Sequence, residues 1–226
     1  MCGRYTLTIT DEDKLRERFR LTKVPRLKAQ YNICPTRPVQ AILNTRPGEL
    51  VALRWGLVPA WAKETNTAYA MINARMESLL EKPAYRELVK TRRCLVIADS
   101  FYEWKKTGGG KEPYRIMLKD EGLFAFAGLW DCRSGADGEL LSGTIITAPA
   151  NELVREIHDR MPVILTKESE AIWLEAADAN EALAALKPCA ASLLKACRVS
   201  KLVNSPENDS AELIRPAPPS SPELTV

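Results

Sequence analysis

The chain has 226 residues, of which 46% are hydrophobic, so it is long enough to bury a substantial core. Its net charge of +3 is unevenly distributed: residues 1–119 carry 23 basic and 12 acidic side chains, whereas residues 120–226 carry 9 and 17. The basic half would suit a polyanionic partner, although the same charges would equally serve to keep two faces of the protein soluble. No apolar run approaches membrane-spanning length, which excludes a transmembrane helix, and we expect a cytoplasmic protein.

The six cysteines include no Cys-x-x-Cys pair, and His158 is the only histidine. Structural zinc is usually held by four Cys and His ligands, often arranged in such pairs, so we predict neither a metal site nor a cofactor. Cysteines without a pairing pattern are typical of a reducing compartment, where most of them are buried thiols.

The predicted elements near the N-terminal end are helices. Thr10 followed by three acidic residues is typical of a helix N-cap, and Leu15 and Phe19 would share one face of the short helix that follows. A second helix is predicted within residues 83–91, because Pro83 suits a first turn and an apolar stripe comes after it.

Short apolar runs bounded by glycine, proline or charged residues predict β-strands in the middle of the chain. These runs are residues 94–98, 114–118, 123–128 and 144–148. The Asp-Glu-Gly sequence at 120–122 predicts a hairpin turn, and the three glycines at 108–110 predict a loop tip. No Gly-Lys-Ser/Thr follows these glycines, so they do not form a phosphate-binding loop.

Helices and one more strand are predicted further along the chain. Residues 149–157 predict a short helix that places His158 at its C-terminal end, and residues 162–166 predict a returning strand. Helical patterns also occupy 168–177 and 180–187. Without repeated βαβ units, the mixture predicts an α+β fold with mostly antiparallel pairing. We expect one domain over residues 1–216 and a disordered Pro- and Ser-rich tail over 217–226.

Cys2 directly follows the initiator methionine, and its side chain is small enough to permit enzymatic or self-catalysed removal of Met1. An exposed N-terminal cysteine has an amine with a pKa of about 7.7–8.0 beside a thiol with a pKa near 8.5, so both groups are partly nucleophilic at neutral pH. An aldehyde would first form a Schiff base with the amine, and the sulfur would then close a five-membered thiazolidine ring. A cysteine at position 2 is usually incidental, so this hypothesis depends on further motifs.

Five separated motifs occur in order: MCGRY at 1–5, WGLVPAW at 55–61, INAR at 72–75, FYEW at 101–104 and IHDRMP at 157–162. With them, the chain resembles the SOS response-associated peptidase family from Cys2 to about Pro216, including its late VSKLVN and AELI segments. The resemblance implies a barrel-like β core with peripheral helices. It also implies a sensor and shield of abasic sites in single-stranded DNA, linked covalently through a thiazolidine. We expect a monomer that meets this partner at the nucleoid.

The resemblance implies a catalytic set of Cys2, Asn73, Glu103 and His158. Cys2 would be the nucleophile, and Asn73 would orient the N-terminal group and the sugar. Imine formation needs a proton removed from the amine and one delivered to the departing water, which the carboxyl group of Glu103 can do in turn. His158 would be favoured in its protonated form at a helix C-terminus and would protonate a sugar oxygen. The alternatives are a surface ion pair of Glu103 with a neighbouring lysine and a structural histidine.

Three arginines within the motifs are candidate DNA-binding residues: Arg4, Arg75 and Arg160. Guanidinium groups bind phosphates in two-pronged geometry, although salt bridges to acids such as Asp159 are the alternative.

Aromatic side chains are candidates to contact bases. Trp61 and Trp104 would stack on exposed bases, each stack contributing about 1–3 kcal/mol without sequence preference. The resemblance further implies that Pro35 and Trp61 wedge against the bases that flank the lesion, whereas Trp55 is predicted to lie in the core. Ala62 stands where some relatives carry a second aromatic residue, which would thin the stacking surface.

Two other functions remain open from the sequence. One is a thiol peptidase acting in trans, with Cys2 as nucleophile, His158 as base and Asn73 or Glu103 orienting the base. The other is a noncovalent binder of single-stranded DNA that uses only the basic and aromatic residues.

Overall fold

The structure is a computed structural model that describes residues 2–62, 71–135 and 138–218. The strands in these ranges are β1 (Arg4–Leu7), β2 (Gln30–Ile33), β3 (Pro38–Leu43), β4 (Arg46–Trp55), β5 (Asn73–Arg75), β6 (Arg93–Ala98), β7 (Ser100–Thr107), β8 (Gly110–Leu118), β9 (Phe124–Gly135), β10 (Gly138–Pro149), β11 (Arg160–Pro162), β12 (Ile164–Leu165) and β13 (Leu194–Arg198). The α-helices are α1 (Glu12–Phe19), α2 (Pro83–Thr91), α3 (Glu152–Arg155), α4 (Lys167–Glu175) and α5 (Ala179–Ala184).

Five strands close into a barrel in the order β10, β4, β3, β6, β9, because β9 pairs back with β10. Four of these five pairings are antiparallel, and β4 with β10 is parallel. The short strands β5 and β11 pair with β10, and β12 pairs with β9. The predicted α+β fold with a mostly antiparallel, barrel-like core and peripheral helices is therefore confirmed.

A second sheet packs against the barrel through aromatic side chains. Its order is β13, β8, β7, β1, β2, and every pairing in it is antiparallel. Tyr5 in this sheet meets Trp55 and Phe126 of the barrel edge to face, with ring centroids 5.3 and 5.7 Å apart. Trp55 is 1% exposed, and its indole N–H donates to the carbonyl of Ile72, so its predicted place in the core is confirmed.

The two predicted turns around β8 have different outcomes. The glycine-rich tip joins β7 to β8 as an antiparallel hairpin, with Thr107 opposite Gly110. The turn at 120–122 also forms: Glu121 adopts a positive φ of 58°, and the Gly122 N–H donates to the Asp120 carboxylate. The prediction of a hairpin there was wrong, however, because β8 lies in the second sheet and β9 in the barrel.

Some element boundaries also differ from prediction. The helix α1 is capped by Asp11 rather than Thr10, since the Asp11 side chain accepts from the backbone N–H of Lys14 at 2.9 Å. The helix α3 has only four residues instead of nine. The strand predicted at 162–166 is split at Val163, because β11 pairs with β10 whereas β12 pairs with β9.

The last part of the chain runs along the second sheet. The Ala217 N–H donates to the carbonyl of Arg198 at 2.8 Å, and residues 219–226, most of the predicted tail, lie outside the described residues. Within the described ranges, none of the helices is both long and apolar enough to cross a bilayer.

Candidate active site

Cys2 lies just before β1, and the register of β1 on β7 brings it close to Glu103. Arg4 is opposite Tyr102 and Tyr5 opposite Phe101, so the chain leading back to Cys2 runs beside the next residues of β7. Cys2 is fully buried, and its Sγ lies 3.8 Å from the carbonyl oxygen of Arg4. Burial, together with the negative charge of Glu103, raises the pKa of the Cys2 thiol well above its ordinary value. The sulfur is therefore a protonated thiol at neutral pH.

Asn73 is the first residue of β5, which is held in place by parallel pairing with β10. Its side-chain nitrogen donates to the carbonyl oxygen of Cys2 at 2.7 Å. Its side-chain oxygen is buried and has no hydrogen-bond partner among the described residues. One end of the amide therefore fixes the main chain of Cys2, and the other makes no hydrogen bond to a described residue.

Glu103 is 2% exposed, and burial raises the pKa of its carboxyl group, against the lowering effect of the positive charge of His158. A surface ion pair with a neighbouring lysine is therefore the wrong interpretation of Glu103. The residue lines a cleft of about 430 Å³, here called the active-site cleft. The residues that line it are Glu103, Trp104, Lys106, Lys111, His158 and Asn204. A carboxyl group with a raised pKa is suited to both give and take a proton near neutral pH.

His158 follows the last turn of α3, and its backbone N–H donates to the carbonyl of Val154 at 2.8 Å. The ring Nδ1 accepts from the backbone N–H of Arg160 at 3.0 Å and also lies 2.9 Å from the carboxylate of Asp159. One ring nitrogen cannot accept and donate at once, so the first contact requires a bare Nδ1 and the second a proton on Nδ1. The ring therefore has a partner in either protonation state.

Glu103 and His158 line the active-site cleft, and Cys2, whose carbonyl accepts from Asn73, lies near Glu103. Residues 1–206 match the family described as SOS response associated peptidase, or SRAP. The chain belongs to the SRAP family.

Relatives with curated names are abasic site processing proteins. The protein YoqW of Bacillus subtilis (strain 168) is 45% identical over 222 residues, which cover 95% of this chain and 99% of the relative. The protein HMCES of Gallus gallus is 37% identical over 206 residues, covering 79% of this chain and 60% of the relative. A crystal structure of a protein from Bacteroides thetaiotaomicron superposes with a TM-score of 0.84 at 28% identity, covering 96% of this chain and all of that one.

In this SRAP protein, the Arg4 side chain is held by the rest of the chain. Its guanidinium donates to the side-chain oxygen of Asn32 at 2.9 Å and to the carbonyls of Val203 and Asn204 at 2.7 and 3.1 Å. Arg4 thereby fastens β1 to the C-terminal segment. The contact of Arg4 with DNA stays a prediction. A phosphate bound there would share the guanidinium with these three acceptors.

The other two arginines of the SRAP motifs lie together beside a second cleft, of about 400 Å³, which Lys82 also lines. Arg160 forms a two-pronged ion pair with Glu77, at 2.7 and 3.0 Å, and donates to the carbonyl of Thr147. The suggested partner Asp159 is therefore replaced by Glu77. Arg75 is exposed and makes no side-chain hydrogen bond to a described residue.

The three remaining candidates differ in exposure. Trp61 is 72% exposed, as a stacking residue must be, and Pro35 is half-buried. Trp104 is half-buried and lines the active-site cleft, where its indole N–H donates to the side-chain oxygen of Asn204 at 2.8 Å.

Sequence reasoning missed three residues of the cleft: Lys106, Lys111 and Asn204. Asn204 closes the VSKLVN segment, which was noted only as a stretch of family resemblance. Lys105 and Lys106 are the lysines that the sequence offers as ion-pair partners of Glu103. The alternation of side chains along a hairpin is the signal that pairs Lys106 with Lys111 across the strands.

Proposed function

We propose that this protein processes abasic sites in single-stranded DNA by bonding their aldehyde covalently through the mature N-terminal Cys2. The observation that carries this proposal is the hydrogen bond from Asn73 to the carbonyl of Cys2, made beside the buried carboxyl group of Glu103. It fixes the residue whose amine would attack, next to a group able to move protons. The names of the relatives, abasic site processing proteins, support the same substrate.

The reaction begins with loss of Met1, a residue outside those described, by self-catalysis or by a separate enzyme. The amine of Cys2 then attacks the aldehyde carbon, and Glu103 takes the proton that the nitrogen loses. Glu103 returns this proton to the oxygen, which becomes the hydroxyl of a carbinolamine. Glu103 then takes the second proton of the nitrogen and gives it to this hydroxyl, which leaves as water, so that an imine remains. The thiol next adds across the C=N bond: sulfur bonds to carbon and the thiol proton passes to nitrogen, which closes a thiazolidine ring. Formation of the ring balances without an oxidant or a further reactant.

The raised pKa of the Cys2 thiol supports this order of steps. A protonated thiol is a poor first nucleophile, whereas its proton is needed on nitrogen when the ring closes. A thiol peptidase acting in trans would instead require a thiol with a lowered pKa, activated by a base. We therefore favour aldehyde capture over peptide cleavage in trans, with release of Met1 as the single peptide bond broken.

His158 and Asn73 complete the chemistry. An abasic sugar is mostly a closed ring, and opening it requires a proton on the ring oxygen, which protonated His158 supplies from the cleft. The unpartnered side-chain oxygen of Asn73 accepts a hydrogen bond from a sugar hydroxyl. We further propose that the protein acts as a monomer, in the cytoplasm at damaged regions of the nucleoid. A splayed single strand can present the sugar to such a cleft, whereas a stacked duplex cannot.

The test is intact mass measurement after Met1-free protein is incubated with single-stranded DNA that bears one abasic site. We expect a denaturation-resistant adduct whose mass is that of protein plus DNA minus one water. Equal labelling of undamaged DNA would refute the lesion assignment, and binding without any adduct would favour the noncovalent alternative. Cleavage of added peptides would favour the peptidase alternative.

Matched variants distinguish the role of the Cys2 amine nitrogen from that of its sulfur. Retaining Met1 converts the amine into an amide, so neither imine nor thiazolidine should form. Cys2→Ser keeps the amine and should give only an imine that borohydride traps. Replacing the other five cysteines should leave the adduct intact if the fold survives. A protein retaining Met1 that crosslinked as fast as the processed form would overturn the mechanism.

A further inference from the structure

The hairpin of β7 and β8 carries two lysines directly opposite each other. Lys106 is the cross-strand partner of Lys111, and both are exposed and line the active-site cleft. Like charges at opposed positions of an antiparallel pair destabilise it. Neither side chain makes an ion pair or hydrogen bond with another described residue, so their mutual repulsion is left uncompensated within that part of the chain.

The two acidic residues of the same hairpin, Glu103 and Glu112, lie on the other face. Side chains alternate along a strand, so Lys105 and its partner Glu112 point away from the face of Lys106 and Lys111. Glu112 is paired with Arg198 at 3.2 Å and with Lys201 at 3.8 Å. The two faces are therefore distinct: one is balanced by ion pairs and the other is purely basic.

Trp104 shares the basic face and lies on β7 before Lys106. It is two residues from Lys106, about 7 Å along an extended strand, and Asn204 fixes its indole N–H. An aromatic ring next to two ammonium groups suits a single strand of nucleic acid, because the ring can stack on a base while the ammonium groups neutralise a phosphate. A free phosphate or an acidic peptide would use the lysines but not the ring.

We propose that this face of the hairpin, Trp104, Lys106 and Lys111, binds the DNA strand as it leaves the active-site cleft. A base stacks on Trp104, and the adjoining phosphates lie between the two lysines and relieve their repulsion. The proposal rests on the proposed function for the identity of the polymer, and it extends that function from the lesion itself to the undamaged nucleotides on one side of it.

The test measures noncovalent binding of undamaged oligothymidine by fluorescence anisotropy at several salt concentrations. The variants are Lys106→Gln, Lys111→Gln and the double variant, with Lys105→Gln as the matched control on the other face. Loss of one phosphate contact to a single strand lowers the slope of log affinity against log salt by about 0.7, so the double variant should lose about 1.4. Lys106→Arg should retain the slope, and Lys105→Gln should behave as the wild type.

Three results would overturn the proposal: an unchanged slope in the double variant, an equal loss in Lys105→Gln, or an equal loss of affinity for inorganic phosphate and for the oligonucleotide. Adduct formation by Lys105→Gln is measured in parallel at saturating abasic DNA and should proceed at the wild-type rate. Because the binding assay uses undamaged DNA, failure of the hairpin proposal leaves the adduct assay intact. Absence of any wild-type adduct, with the slope still reduced, would refute the proposed function alone.

Discussion

The side-chain nitrogen of Asn73 lies 2.7 Å from the carbonyl oxygen of Cys2 and donates a hydrogen bond to it. The two residues are far apart in sequence and belong to different sheets, Asn73 on a strand added to the barrel and Cys2 at the entry to the second sheet. The bond joins the two sheets at the point where the proposed reaction begins.

Asn73→Asp should slow adduct formation by about 10- to 100-fold, because the new carboxylate oxygen would face the Cys2 carbonyl without a proton to share. An unsatisfied buried polar group costs about 1–3 kcal/mol, and each 1.4 kcal/mol is a factor of ten. Single-turnover rates check this. Asn44→Asp is the matched control, since the Asn44 side-chain nitrogen likewise donates to a carbonyl, that of Thr91, in the turn between β3 and β4. A normal rate in Asn73→Asp would show that the bond does not position Cys2.

Glu103→Gln should slow adduct formation by about 10²–10⁴ with little change in DNA binding. It should also stabilise the protein at high pH. Burial raises the pKa of Glu103, so the folded state binds the proton more tightly than the unfolded state does. The wild type therefore loses stability as pH rises from the pKa of Glu103 in the unfolded state through its pKa in the folded state. The melting temperature of Glu103→Gln, minus that of the wild type, should be larger at pH 8 than at pH 4.

Glu77→Gln should give the opposite sign, because the hydrogen bond from Arg160 lowers the pKa of Glu77. The ionised Glu77 contributes to the free energy of unfolding above its pKa in the unfolded state. This contribution is lost as pH falls through its pKa in the folded state. This variant should be destabilised at pH 8 and neutral at low pH, by a small amount since Glu77 is about half exposed. Equal pH dependence in both variants would contradict the two assignments.

Arg75 and Arg160 should respond differently to substitution by Gln. Arg75→Gln should weaken binding of single-stranded DNA and flatten its salt dependence with an unchanged melting temperature, because Arg75 is exposed. Arg160→Gln should in addition lower the melting temperature, since Glu77 and the carbonyl of Thr147 lose their donor. Salt titrations and thermal unfolding of both variants decide this. Equal loss of stability would show that Arg75 is also structural.

Arg93→Lys should destabilise the fold by roughly 2–4 kcal/mol, as removal of several charge-assisted bonds in a buried site does. Arg93 is 3% exposed, and its guanidinium donates to five carbonyls at the ends of α2 and α4. These acceptors belong to Val89, Lys90, Trp173, Leu174 and Ala176. A lysine has three donors on one atom and cannot reach both helix ends. Urea unfolding measures the change, with exposed Arg86→Lys as a near-neutral control.

Much of the fold was predictable because its signals are local. Pro83 at a first turn and an apolar stripe after it predict a helix within residues 83–91, where the structure has α2. The runs that predicted strands at 94–98 and 144–148 lie within β6 and β10. A short apolar run indicates a strand that is buried on both faces, because that burial depends on the segment's own side chains.

The sequence by itself determined which residues are candidates: the order of its motifs singled out Cys2, Asn73, Glu103 and His158. Only the tertiary structure decided what surrounds them. The turn at 120–122 forms as its residues predict, yet it leads into another sheet, because turn chemistry fixes local dihedral angles and not the partner of the next strand. Arg160 pairs with Glu77 rather than with the adjacent Asp159, and Glu103 is buried rather than at the surface. Ion pairing and burial depend on groups brought together from distant parts of the chain, and sequence neighbours do not specify them.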